Sequence, residues 1–61
     1  MGYFKGGETV ISNVTFEGRL RENYMYKIVH VYTSNGWTQH VAVIQDNGEY
    51  HSFLGSVFRK V

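Results

Sequence analysis

The sequence predicts an all-β fold that is organised around an antiparallel meander of three strands within residues 24–53. Two Asn-Gly dipeptides, Asn35-Gly36 and Asn47-Gly48, each separate two runs in which apolar and polar residues alternate. Asn-Gly is the strongest short-range signal for a β-hairpin, because both residues adopt positive φ at low cost. No stretch of useful length has the periodicity of an amphipathic helix.

Segments on both sides of the meander extend the predicted sheet. Before it, Tyr3-Phe4 precede a double glycine, and the alternation up to Arg21 predicts a long strand with a bend near Ser12-Asn13 or a bulge near Gly18. After it, Leu54-Gly55 suits one helical turn. The remaining predicted strands are residues 24–33, 37–46, 49–53 and 56–61.

The predicted turns determine which side chains share a face of the sheet. Two-residue turns at both Asn-Gly dipeptides pair Val31 with His40 and Ala42 with Phe53, and a third turn is predicted at Glu22-Asn23. A shift of one residue in this pairing would exchange the two faces. All three turns place one apolar set on the same face, which we predict to be the core: Val14, Phe16, Leu20, Met25, Val29, Val31, Ala42, Ile44 and Phe53.

The opposite face of the predicted sheet is the candidate binding surface. Its aliphatic centre is rimmed by tyrosine, histidine and arginine, whereas a solvated face should be polar throughout. An exposed apolar patch with a polar rim marks an interaction site. The predicted binding residues are Arg19, Arg21, Tyr24, Tyr26, Ile28, His30, Tyr32, Val43 and Tyr50.

Three interpretations of this second face are open. In the first, Tyr3-Phe4 and Val57–Val61 fold back over it, and residues 1–61 close into one domain, a five- or six-stranded SH3-like barrel or half-barrel. In the second, it is a protein interface, because tyrosine and arginine around an aliphatic centre are typical of hot spots and two sheets could pack as a homodimer. In the third, its tyrosines stack on bases and its arginines contact phosphates.

Composition narrows the choice of partner. The chain has 61 residues and a net charge of +1, with six basic and five acidic residues. Proteins dedicated to duplex nucleic acid usually carry more positive charge. No apolar run is long enough to span a membrane and no leader is recognisable, so we expect a cytoplasmic protein with no membrane partner.

Few side chains suit catalysis. The chain has no cysteine, and the predicted register separates His40 from His51 by roughly 14 Å, which is too far for one zinc ion. Asp46 and Glu49 flank a turn and are expected to be solvated, while Trp37 is expected to plug one end of a barrel. We therefore predict no enzymatic activity, no metal and no cofactor.

The sequence supports one main hypothesis of function and one alternative. The main hypothesis is a non-catalytic binding module of the accessory or inhibitor type, which recognises a protein partner and works as a homo-oligomer. The alternative is a small nucleic-acid- or nucleotide-binding β-barrel that uses the face rich in tyrosine and arginine. Fold alone does not decide between them.

Overall fold

The computed structural model describes residues 3–61 as an all-β protein, and Met1 and Gly2 lie outside the described residues. Its elements are β1 (Thr9–Ser12), β2 (Met25–Ser34), β3 (Thr38–Ile44), β4 (Tyr50–Leu54), a 3₁₀ turn (Gly55–Val57) and β5 (Phe58–Lys60). The strands form one antiparallel sheet in the order β4-β3-β2-β1-β5. The predicted all-β meander is confirmed, but the sheet is open, with β4 and β5 at its edges.

Residues 13–24 form a loop where the sequence predicted the continuation of a long strand. The Ser12 hydroxyl donates to the Val14 carbonyl at 2.6 Å and accepts from the Val14 N–H at 3.2 Å. Such local bonds between side chain and backbone compete with the hydrogen bonds of a strand. A bridge between Phe16 and Leu20 folds the loop back on itself, and the Asn23 N–H donates to the Ser12 carbonyl at its base. A turn does lie at Glu22-Asn23, where the Tyr24 N–H donates to the Arg21 carbonyl at 3.2 Å, but it does not join two paired strands as predicted.

Strand β2 changes its partner and its facing direction at Val29. Its first half pairs with β1, with Tyr26 opposite Val10, and its second half pairs with β3. The pairing with β3 shifts between Ile28 and His30, which leaves Val29 as an extra residue. A bulge of this kind reverses the alternation of side chains. The even-numbered residues therefore face inward before Val29 and outward after it.

The hairpin between β2 and β3 contains the predicted turn but is one residue longer. Asn35 and Gly36 both have positive φ, at 54° and 82°, as the dipeptide predicts. The last strand pair is Ser34 with Thr38, so Trp37 belongs to the loop. From His30 onward the predicted pairing with β3 is consequently wrong by one residue.

The hairpin between β3 and β4 uses a different turn from the predicted one. The Gly48 N–H donates to the Gln45 carbonyl, the Gln45 N–H donates to the Glu49 carbonyl, and Gly48 has a φ of 87°. This is a type I turn followed by a glycine bulge, which needs one more residue than a two-residue turn. Ala42 therefore pairs with Ser52 rather than Phe53.

These shifts build the core from residues of both predicted faces. The prediction of the core face is wrong for Phe16, Met25, Val29 and Ile44, which are 42–65% exposed. Leu20 is buried as predicted, and Val14, Val31 and Phe53 pack partly buried against the core. Ala42 is also buried, but it lies on the opposite side of the sheet, between His30 and Ser52. The buried cluster is Phe4, Val10, Leu20, Tyr26, Ile28, Val41, Val43 and Phe58.

The two ends of the chain cover the aliphatic centre of this inner face. Phe4 and Phe58 are 5% and 4% exposed and pack with Ile28. The side-chain amide of Gln39 holds the Phe4 backbone, accepting from its N–H at 3.2 Å and donating to its carbonyl at 3.1 Å. The first interpretation is met in part, because Phe4 and Phe58 cover the centre of that face but the sheet stays open and does not close into the predicted barrel. No helix among residues 3–61 is long and apolar enough to cross a membrane.

Candidate functional site

The structure divides the predicted binding residues among three places: Tyr26, Ile28 and Val43 in the core, Arg19, Arg21 and Tyr24 in the loop of residues 13–24, and His30, Tyr32 and Tyr50 on the solvent side of strands β2 to β4. The first group is buried by the chain itself. The predicted residues therefore do not form one continuous surface.

Tyr26 connects the loop of residues 13–24 to the β3–β4 turn. Its ring is buried, while its hydroxyl donates to Asp46 Oδ1 at 3.1 Å and accepts from the Arg21 N–H at 2.7 Å. Burial raises the pKa of Tyr26 above its ordinary value, and the Asp46 carboxylate acts in the same direction. These contacts assign Tyr26 to the stability of the fold rather than to recognition.

Arg21 and Arg59 both contact other side chains of the same chain. Arg21 Nε lies 3.6 Å from Asp46 Oδ2, and its guanidinium carbon lies 5.5 Å from the centre of the Tyr24 ring. The contact with Tyr24, and then that with Asp46, raises the pKa of Arg21. Arg59 donates to the side-chain oxygens of Asn13 and Asn23. The loop of residues 13–24 itself has two arginines and two glutamates, so it carries no net charge.

Strand pairing places every second residue of strands β2 to β4 on the solvent side of the sheet. From His30 onward in β2, and throughout β3 and β4, none of these positions is charged, although the chain has six basic and five acidic residues. Lys27, which precedes the bulge at Val29, is exposed at the margin of this surface. We call this surface the outer face, and its residues are His30, Tyr32, Ser34, Thr38, His40, Ala42, Ile44, Tyr50, Ser52 and Leu54.

A row of parallel rings crosses the middle of the outer face. Tyr32 and His40 are cross-strand partners whose ring centres are 4.7 Å apart at an interplanar angle of 7°, and His30 stacks on Tyr32 at 6.1 Å. His40 Nε2 lies 2.9 Å from the Ser34 hydroxyl, which holds the imidazole in place. Cross-strand aromatic pairs stabilise a sheet and order its side chains. The row is therefore a preorganised surface.

A depression beside this row follows from the small size of one side chain. Ala42 lies between larger neighbours, and the resulting open hollow has a volume of about 570 Å³. Concave sites with apolar walls are the usual place for an anchoring side chain of a partner. Its walls are Val29, His30, Tyr32, Ala42, Tyr50, His51 and Ser52.

A second groove, of about 620 Å³, lies between the β2–β3 loop, the 3₁₀ turn and the N-terminal segment. Trp37 and Tyr3 line its rim, and it meets the outer face at Leu54. Trp37 is 82% exposed, so the prediction that it plugs one end of a barrel is wrong. The loop holds it in solvent because the strand pairing begins only at Thr38.

Sequence reasoning missed His40, which stands at the centre of the outer face. The predicted two-residue turn paired it with Val31 and therefore placed it on the core side. The signal for the correct placement was Trp37, because one additional residue in the turn moves every following residue of β3 to the opposite face. Leu54 and Ser52 had been placed on the right side but were not among the predicted binding residues.

Neither a metal site among the described residues nor a similar protein indicates what the outer face binds. Within the part of the chain that the structure describes, no group of three or more His, Asp or Glu side chains could hold a metal ion. Comparisons of the chain with protein-family models, with curated proteins and with solved structures gave no significant match.

Proposed function

We propose that this protein is a non-catalytic recognition module that binds a protein partner through its outer face and works as a homo-oligomer. The observation that carries the proposal is the absence of charged side chains from the outer face as defined above. The centres of protein interfaces are depleted in charged residues and enriched in tyrosine. Burying this face against a partner requires the desolvation of no lysine, arginine, aspartate or glutamate.

The exposed aromatic and aliphatic side chains supply the energy that such binding needs. Tyr32, Tyr50 and Leu54 are 44%, 66% and 50% exposed. Each ångström squared of apolar surface that a partner removes from water contributes about 25 cal/mol. The ordered ring of Tyr32 loses little further freedom on binding because it is already stacked on His40.

The alternative of a nucleic-acid-binding barrel has weaker support. Stacked Tyr32 and His40 rings would suit bases, but a base-stacking surface also needs cations that neutralise the phosphates. The outer face has no lysine or arginine within it, Lys27 lies at its margin, and Arg21 pairs with an acid of its own chain. Arg19 and Arg21 lie on the loop instead of beside the rings.

The test compares how well variants of the outer face and variants of the loop of residues 13–24 retain a protein partner. Immobilised wild-type protein, a Tyr32→Ala/Tyr50→Ala variant and an Arg19→Ala/Arg21→Ala variant are incubated with lysate of the native host, and retained proteins are quantified by mass spectrometry. We expect the tyrosine variant to stay folded and to lose the retained proteins, with a loss of about 2 kcal/mol or more at each hot-spot residue. The arginine variant should retain them.

Two results would contradict the proposal. One is retention that survives the loss of both tyrosines but disappears with the two arginines. The other is specific retention on single-stranded DNA or heparin that weakens steeply with salt, which would favour a nucleic-acid partner. Circular dichroism of each variant shows whether a loss of binding reflects a loss of fold.

A further inference from the structure

We propose that strand β4 is the self-association interface of this protein, and that two copies pair their β4 strands antiparallel about a twofold axis at Ser52. The inference rests on the homo-oligomer that the proposed function includes, and it names the contact surface. It concerns the edge of the sheet, whereas partner recognition concerns the outer face.

The backbone of β4 has unused hydrogen-bonding groups on its open side. Gln45 N–H donates to the Glu49 carbonyl at 2.9 Å, and hydrogen-bonded and non-bonded pairs alternate along an antiparallel ladder. His51 and Phe53 therefore bond to β3. Tyr50, Ser52 and Leu54 direct their N–H and C=O groups away from β3, and β4 has no second strand beside it among residues 3–61.

The edge at β4 also lacks the features that prevent strands from pairing. Its five residues include no charge, no proline and no bulge. Natural edge strands are usually blocked by such features or by shortness. The opposite edge, β5, has them: it is three residues long and carries Arg59 and Lys60. The difference within one small sheet marks β4 as the edge open to a further strand.

A second copy of the chain fits this edge because the sequence is self-complementary about Ser52. Antiparallel pairing at that centre places Tyr50 opposite Leu54 of the second copy, His51 opposite Phe53, and Ser52 opposite itself. Aromatic–aliphatic and aromatic–aromatic cross-strand pairs are favourable, and no like charges meet. His51 and Phe53 already contact edge to face within one chain, with ring centres 5.1 Å apart.

The proposed pairing has a consequence for the outer face. Strands of the two copies would form one continuous sheet of ten strands, five from each copy, and both outer faces would lie on the same side of the two-fold-related strands near Ser52. The two hollows, each bounded by Tyr50 and Ser52, would adjoin across the new interface. A dimer would therefore offer a partner one extended uncharged surface.

Charge exchange at residue 52 tests this geometry, because only a twofold axis at that position brings residue 52 against itself. Sedimentation equilibrium is measured for the wild type, for Ser52→Lys, for Ser52→Glu and for their equimolar mixture. We expect a wild-type dimer, a dissociation constant at least about tenfold weaker for each single variant, and recovery of association in the mixture. Thr9→Lys and Thr9→Glu on β1, far from β4 in the strand order, are the matched controls and should associate as the wild type does.

The possible outcomes separate this inference from the proposed function. A wild type that stays monomeric up to millimolar concentration, or that dimerises unchanged in both residue 52 variants, would overturn the pairing through β4. Partner retention that still depends on Tyr32 and Tyr50 would leave the recognition function intact in either case. Dissociation of both single variants without recovery in the mixture would also contradict the twofold axis at Ser52.

Discussion

The two faces of strands β2 to β4 both lack charged side chains at their centres and differ in what covers them. The inner face presents Ile28, Val41 and Val43, and Phe4 and Phe58 from the two chain ends pack over it. The outer face presents stacked tyrosine and histidine rings, and no segment among residues 3–61 packs over its Tyr50, which is 66% exposed. In this short chain the inner face is buried because residues from the two chain ends pack over it, whereas the outer face stays exposed.

The absence of charge does not by itself distinguish the inner face from the outer face. The extent of burial is needed as well. Neither face carries lysine, arginine, aspartate or glutamate at its centre, because burying an unpaired charge is costly in a core and at an interface alike. The inner side chains are aliphatic and fill space, whereas the outer rings are held by stacking and by the Ser34 hydroxyl on His40. The outer face is thus ordered without being buried.

The largest effect on stability is expected at Phe58, which packs over the inner face. Phe58→Ala removes a buried ring from the core and should cost about 3–5 kcal/mol, which is comparable to the whole stability of a domain of this size, about 3–5 kcal/mol. We expect Phe58→Ala to be largely unfolded at room temperature by circular dichroism and urea denaturation.

Phe16→Ala is the matched control for Phe58→Ala. Phe16 stacks on Phe53 at 5.7 Å but is 42% exposed, so less apolar surface is lost and the variant should remain folded. An unfolded Phe16→Ala beside a stable Phe58→Ala would restore the core face that the sequence predicted.

A smaller effect is expected at Tyr26, together with a dependence on pH. Tyr26→Phe keeps the ring but removes the hydrogen bonds to Asp46 and from the Arg21 N–H, at a cost of about 1–2 kcal/mol. In the wild type, burial raises the folded-state pKa of Tyr26 above its ordinary value of 10.0. The associated stabilisation is therefore fully present below pH 10.0 and is lost as the pH rises through the folded-state pKa.

Urea denaturation of both proteins from neutral to alkaline pH measures this contribution. The wild type should lose stability above pH 10.0 more steeply than Tyr26→Phe, because the variant lacks the titrating hydroxyl. Parallel losses in the two proteins would mean that the Tyr26 hydroxyl does not link the loop to the β3–β4 turn.

The sequence was sufficient to predict strands β2 to β5, but neither the end of β1 at Ser12 nor the facing of the strands. Asn35-Gly36 and Asn47-Gly48 both lie at hairpins, and the short last strand and the helical turn before it are present. The pairing failed because Asn-Gly is compatible with more than one loop length: Trp37 lengthens the first loop, and the Gly48 bulge lengthens the second. One additional residue exchanges the faces of a strand, so an error of one residue in loop length assigns every following residue of that strand to the wrong face.

The candidate site was predictable only in part, for the same reason. His30, Tyr32 and Tyr50 lie together on the outer face, as the sequence placed them. The placement of His40 depends on the additional loop residue Trp37. The opposite facing of Tyr26 and Tyr32 depends on the bulge at Val29, which no local residue pattern announces.

The most direct test introduces threonine once on the inner face and once on the outer face, and compares the resulting changes in the free energy of unfolding. A large change is expected on the inner face and the smallest change on the outer face. Threonine suits strands on either side, so Ile28→Thr and Tyr32→Thr differ mainly in what the original side chains contact. Equilibrium urea unfolding should show a loss of about 2 kcal/mol or more for Ile28→Thr, which buries a hydroxyl among apolar groups. Tyr32→Thr should stay within about 1 kcal/mol of the wild type, because it loses only the stacking on His40. A Tyr32→Thr variant destabilised as much as Ile28→Thr would contradict the claim that the outer face is a free recognition surface.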